Sequence, residues 1–167
     1  ERLTDLYIAW SYIPELKIKL GKQATKFTLD GSTSSKDFLT MERSALANNL
    51  WFTAEYFTGF SFSGKVNNLK YFVGGLTNDE GENFSRFNAK YFGMITLIYD
   101  FKKFLPLDKA SLRVDYVHNK EHELANTRAF TQVISVSNKI EKSNVGVWSD
   151  FSAGKGFTNQ SDVAGAT

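Results

Sequence analysis

His118-Asn119-Lys120-Glu121-His122 is the stretch whose residue types and spacing most resemble a reaction centre. It fits H-x-x-E-H, a pattern in which two imidazoles hold zinc and the carboxylate works on a bound water. That chemistry needs a helix, so that both histidines face one way, and a third ligand from elsewhere. Here the pentapeptide follows a cleanly alternating run, within the polar stretch H-N-K-E-H-E-L-A-N-T, and the chain has only these two histidines. The surroundings argue against metal. No G-x-S-x-G, P-loop or dinucleotide fingerprint occurs, and no nucleophile can be paired with a base. The reading is of a protein that is not an enzyme, with no catalytic residue, metal or cofactor.

The second chemistry open to these residues is electrostatic. Lys17, Lys19, Lys70 and Arg113 lie on alternating stretches, opposite the apolar side, and Lys26, Lys36 and Arg43 lie in a long connection. Cations along a narrow passage with low-dielectric walls focus a field that favours anions. The plainer alternative is that they are the polar residues any wetted surface carries. Glu42 beside Arg43 is open in the same way, either pinning the connection to a wall or touching solute.

The elements that must position these groups are β-strands. In Leu6-Tyr7-Ile8-Ala9-Trp10-Ser11-Tyr12 one side is apolar, and Leu16, Ile18 and Leu20 continue that side against Lys17, Lys19 and Gly21. Further strands read over Thr58–Gly64, Leu69–Gly74, Phe87–Tyr99 and Ala110–Val117, then over a stretch with Phe130, Ile134 and Val136 on one side, and last over Asn144–Ala153. Two are noisy: Phe72 interrupts a polar side, and Met94 and Ile98 compete with Ile95, Leu97 and Tyr99. The reading gives eight strands joined by alternately short and long connections. That order is expected of outer-membrane barrels, with short turns at one end and longer loops at the other. Trp10, Tyr12, Tyr71, Tyr99 and Tyr116, near strand ends, suit interfacial girdles or an ordinary core.

Composition sets the bounds. Fifteen Phe, seven Tyr and three Trp among 167 residues lean toward β structure. A net charge of +2 offers no basic stripe for nucleic acid, and zero cysteine rules out disulfides and thiolate metal sites. No apolar run reaches the length of a membrane-crossing helix, which leaves a barrel open. The chain begins at Glu1 and ends V-A-G-A-T, and it reads as an internal piece of a longer protein.

The connection over residues 22–51 is long for a compact β-domain. Phe27, Leu29, Phe38, Leu39, Met41 and Leu46 make it too apolar for a solvated linker. Ser34 and Asp37 have capping-box spacing, predicting a short helix over 34–46.

L-G-K-Q-x-x-x-F-T-L-D from Leu20, T-S-S-K-D-F-L-T-M-E-R-S from Thr33 and the later G-G-L-T-N-D-E-G resemble the phosphate-selective porin O and P family of Gram-negative outer membranes. Met41-Glu42-Arg43-Ser44 is the most specific piece, and the strand rhythm carries the resemblance to about Gly156. The resemblance implies a loop folded back into the barrel to narrow it. Its apolar content argues that it packs against the wall, with Phe38, Met41, Glu42 and Ser44 as the expected anchors. The resemblance also implies a sixteen-stranded whole, a homotrimer, outer-membrane lipid as surroundings and small anions such as phosphate as solutes. Five scattered arginines, with no arginine ladder on a strand, weigh toward a general anion preference rather than phosphate itself.

The expected fold is therefore all-β: a transmembrane antiparallel β-barrel, present as about eight strands of a porin with a pore-constricting loop. A complete eight-stranded barrel with a structural or binding role, or a soluble all-β ligand-binding module, are the alternatives. The first would pair a strand near Val147 with one near Ile8. The second would bury its apolar faces against each other.

Overall fold

Residues alternating with a period of two place their side chains on opposite faces of a strand, and here the resulting strands pair in chain order. The computed structural model describes residues 5–34, 36, 55–77, 91–119 and 130–156. They form one antiparallel sheet ordered β1-β2-β3-β4-β5-β6-β7-β8. The strands are β1 (Leu6–Ile13), β2 (Leu16–Thr25), β3 (Glu55–Val66), β4 (Leu69–Thr77), β5 (Tyr91–Asp100), β6 (Lys109–Asn119), β7 (Gln132–Lys142) and β8 (Val145–Lys155). A four-residue helix, α1 (Leu29–Ser32), follows β2. Strands of 8 to 12 residues suit a tilted membrane crossing.

Three of the hairpins close on two residues: Pro14-Glu15, Asn67-Asn68 and Ser143-Asn144. Asn67 and Ser143 each take φ 52°, the positive φ at the first turn position that suits the twist of paired strands. The sequence alone reads broader turns here, over Lys65–Asn68 and Asn138–Ser143, and the ladder corrects both. The hairpin register continues to Val66↔Leu69 and Lys142↔Val145, so polar residues there belong to strands. β5 and β6 are joined by residues 101–108, including a 3₁₀ turn at Lys102–Phe104. These four connections lie at one end of the sheet, and the chain leaves β2, β4 and β6 at the other.

The two faces differ sharply. One carries Ile8, Trp10, Leu20, Phe60, Leu97, Leu112, Ile134 and Phe151, all exposed, with Ile8 at 78% and Phe151 at 71%. Among the described residues no second layer covers it, unlike the packed apolar faces that a soluble module would show. Trp10, Tyr12, Tyr71 and Tyr99 lie on this face toward the short-turn end. Trp10 and Tyr12 stack at 6.3 Å, and the Tyr71 hydroxyl donates to the Glu15 carbonyl at 2.7 Å.

The opposite, inner face receives the chain that leaves β2. At its long-loop end Phe27, Phe57, Leu76, Phe92, Met94, Val117, Phe130 and Val133 form a buried apolar cluster, with Phe72 packed against it. Phe57 and Phe92 meet edge to face at 5.1 Å. The cluster explains the noisy strands, because Phe72, Phe92 and Met94 occupy the inner face where polar residues were expected. It also corrects Phe130. That residue precedes β7, so the strand alternation does not reach it, and it is buried on the inner side while Ile134 and Val136 are exposed on the other.

The sheet is open. Ile8 pairs with Leu20, and Val147 pairs with Ile140; among the described residues β1 and β8 do not pair. A closed eight-stranded barrel is therefore not the architecture; the sheet is a partial barrel. Gly21 and Gly59 pair across β2 and β3 with no room for side chains: a Cβ on Gly59 would come within 2.2 Å of the Gly75 carbonyl oxygen, and Gly21 has φ 128°.

Candidate pore lining

Ladder register fixes which residues share the inner face. Lys17 lies opposite Ser11 and Ser63, and Lys19 opposite Ala9 and Ser61. Farther along, Thr96, Asp115, Ser135 and Ser152 form one cross-strand row, and Ile98, Arg113, Ser137 and Asp150 the next. The rows are polar through the middle of the face and apolar at the long-loop end. Lys70, opposite Lys65 and Ile98, is exposed.

Arg113 and Asp115 are two residues apart on β6 and so point the same way. The guanidinium is 7% exposed and the carboxylate fully buried. Arg113 Nε donates to Asp115 Oδ2 at 2.6 Å and Nη2 to Oδ1 at 2.9 Å. The Thr96 hydroxyl also donates to Asp115 Oδ1. This fork-on-carboxylate geometry neutralises the cation. Its remaining donors reach across the inner face: Nη1 to Ser32 Oγ at 2.6 Å, and Nη2 to the Lys26 carbonyl at 2.9 Å. Arg113 was expected as a pore cation. It stands on the inner face, with its hydrogen-bonding capacity directed at Asp115 and the root of the long connection.

The root has the shape to accept those bonds. β2 runs on to Thr25, so the chain leaves the sheet later than the Gly21–Lys22 boundary read from sequence. Phe27 enters the apolar cluster, and Thr28 takes φ 62°, rare for a β-branched residue. The Thr28 hydroxyl accepts the Gly31 N–H at 3.0 Å, while Ser32 and Thr33 hydroxyls donate back to the Leu29 carbonyl at 2.9 and 2.8 Å. The Leu29 N–H approaches Ser137 Oγ at 3.4 Å, and Ser137 donates to Asp150, which also accepts from Ser135 at 2.7 Å. The root thus touches β6 and β7, four and five strands from where it leaves the sheet.

Between the root and strands β2 to β6 lies a cavity of about 260 Å³, lined by Lys19, Gln23, Ser61, Phe72, Ile98 and Arg113, among others. Lys26 lines it too, so this cavity gathers three of the cations expected from sequence. Lys17 is half-buried on the same face, and Lys36 is exposed on the connection. The expected positions Phe38, Met41, Glu42, Arg43 and Ser44 lie outside the described residues, as does nearly all of the helix read over 34–46. So do Lys120, Glu121 and His122. His118 belongs to β6, opposite Gly93 and Gln132, rather than to the loop in which it was read, and that extended backbone is not the helix a zinc motif requires.

A second polar group on the inner face, near the short turns, was missed. Glu141 accepts from Lys109 at 2.7 Å, Lys139 at 3.1 Å and the Trp148 indole at 2.9 Å, and the Lys139 ammonium sits 3.6 Å from the Trp148 ring centroid. Reading 138–143 as a turn hid it. With the strand extended to Lys142, Lys139 and Glu141 share a face by simple alternation.

The sequence matches the family of phosphate-selective porins O and P over residues 1–144. The chain belongs to this family. No curated protein and no solved structure matches it. Membership agrees with the exposed apolar face, the inner polar rows and the alternation of short and long connections. It implies a channel rather than an enzyme, in the outer membrane of a Gram-negative bacterium. For a porin of this kind, the inner face is the wall along which solutes pass.

Proposed function

We propose that this chain forms part of the wall and the constriction of a passive diffusion channel that prefers small anions, phosphate among them. The observation that carries the reading is the bond from Arg113 to Ser32: it ties the root of the long connection to the inner wall, as a loop that narrows the passage would require. Residues 22–51 act as the constriction, held by Phe38, Met41, Glu42 and Ser44. Lys17, Lys19, Lys26, Lys36, Arg43 and Lys70 supply the positive potential, and Arg113 adds to it little because Asp115 offsets its charge.

Among the described residues, Lys17, Lys19, Lys26 and Lys70 have no carboxylate partner, so their charge is free to act on solute. Attraction must be strong enough to admit an ion and weak enough to release it. Lys26 and Lys70, exposed and screened by water, meet both conditions. Membrane spanning also requires that β1 and β8 find partners, since unpaired edges are not tolerated in lipid. The full porin supplies them, as sixteen strands in a homotrimer.

The test is reconstitution of the full-length protein in planar bilayers. Stepwise ohmic conductance with a reversal potential displaced toward anions supports the reading. Steps with cation preference would remove the anion claim, and absence of steps would remove the channel.

A further inference from the structure

The cavity beneath the loop root combines two kinds of wall. Lys19, Lys26, Ser61 and Ser63 give it a polar side, and Ala24, Phe72 and Ile98 an apolar one; among the described residues no carboxylate lines it. Arg113 at its edge is already spent on Asp115 and the loop root. The two lysines are differently placed: Lys26 is exposed, and the Lys19 ammonium rests 4.0 Å from the Tyr7 ring centroid. That cation–π contact is weak enough at a wetted site to yield to an anion. Gln23, 1% exposed, lines the cavity with its Oε1 accepting from Ser61 at 2.7 Å, while its Nε2 has no hydrogen-bond partner among the described residues.

Inorganic phosphate is hydrated on every side and gains nothing from Phe72 or Ile98. An anion with an apolar body uses both walls, in the way small-molecule sites combine apolar surface with a few placed polar groups. We propose that this cavity is a subsite for small organic monoanions, with the carboxylate toward Lys19 and Lys26 and the apolar body against Phe72 and Ile98. The inference rests on the channel reading above and sharpens it, from anions in general to carboxylates of single-ring or short-chain size. Arg113 forms the end wall of the subsite without acting as its charge.

The experiment uses the full-length protein in two settings. In planar bilayers, chloride current is titrated with benzoate and, separately, with inorganic phosphate. In detergent micelles, 4-fluorobenzoate binding is followed by fluorine NMR and competed with either anion. Benzoate is expected to block and to compete at about tenfold lower concentration than phosphate, a ratio typical of one well-buried apolar contact. Phe72→Ser should bring the ratio toward one, and so should Ile98→Thr, which keeps a β-branched residue in the strand. Replacing Lys19 and Lys26 together with Gln should weaken both anions. Equal block by phosphate and benzoate, or a ratio unmoved in both apolar variants, overturns the subsite while leaving the channel standing. Binding in micelles with the expected ratio but no conductance would support the subsite and overturn the channel. Neither binding nor conductance overturns both.

Discussion

Arg113 Nη1 donates to Ser32 Oγ at 2.6 Å, joining two residues 81 positions apart and linking the sixth strand to the connection that leaves the second. Both partners are held from behind. Asp115 fixes the guanidinium in a two-point fork, and the Leu29 carbonyl accepts the Ser32 hydroxyl proton, leaving its lone pairs to Arg113.

This bond predicts separate effects on conductance and selectivity. Arg113→Met removes its two hydrogen bonds to the loop root, to Ser32 and to the Lys26 carbonyl, and leaves Asp115 buried without its counter-charge. Breaking a buried pair from one side costs about 3–5 kcal/mol, so the thermal midpoint of the full-length protein should fall. Single-channel conductance should rise or become noisy as the loop root loosens, with little change in reversal potential. Arg113→Lys should not rescue it, because an ammonium cannot make the same fork. A shift in selectivity without a change in conductance would show Arg113 to be a pore cation after all.

The two faces predict opposite accessibilities. Spin labels at Ile8, Leu20, Leu112 and Ile134 should relax with oxygen in the lipid phase. Labels at Lys17 and Ser63 should respond to a water-soluble nickel chelate. The reverse pattern would mean that the register is displaced by one residue, which exchanges the faces of every strand.

Gly59 gives a packing prediction. An added Cβ would meet the Gly75 carbonyl oxygen at 2.2 Å and the Leu76 Cα at 2.8 Å, both backbone atoms that cannot move aside without parting β3 from β4. Gly59→Ala should destabilise the barrel by about 1–3 kcal/mol or more, the usual range for overpacking. Heat-dependent gel mobility would register this as a lower unfolding temperature. Gly93, whose Cβ would meet nothing within 4 Å, should accept Ala without loss.

The sheet was legible because a strand with one apolar and one polar side shows a period of two. Leu6 to Tyr12 and Leu112 to Tyr116 show it directly. It failed where the inner face is not wet: Phe72, Phe92 and Met94 sit under Phe27, so both faces of those strands are apolar and alternation blurs. Asp115 could have been found beside Arg113 from their spacing on one strand, but its partner Ser32 could not. That contact depends on a connection crossing the inner face, and strand periodicity carries no information about it. The aromatic residues at the short-turn end were legible as a group, whereas Lys139 and Glu141 were lost to a turn drawn too wide.

Charge in the constriction is the claim most open to a direct measurement. Lys26, Lys36 and Arg43 are the cations of the loop beyond its β2 edge, and each would act on a passing anion with about 1–4 kcal/mol at ~4 Å, between the bulk-water and near-surface dielectric limits. Replace all three with Gln in the full-length porin and record the reversal potential across a salt gradient, first at low salt and then near 1 M, where the screening length falls to about 3 Å. The account predicts a shift toward cation preference at low salt that shrinks at high salt. A reversal potential that does not move at low salt would contradict it.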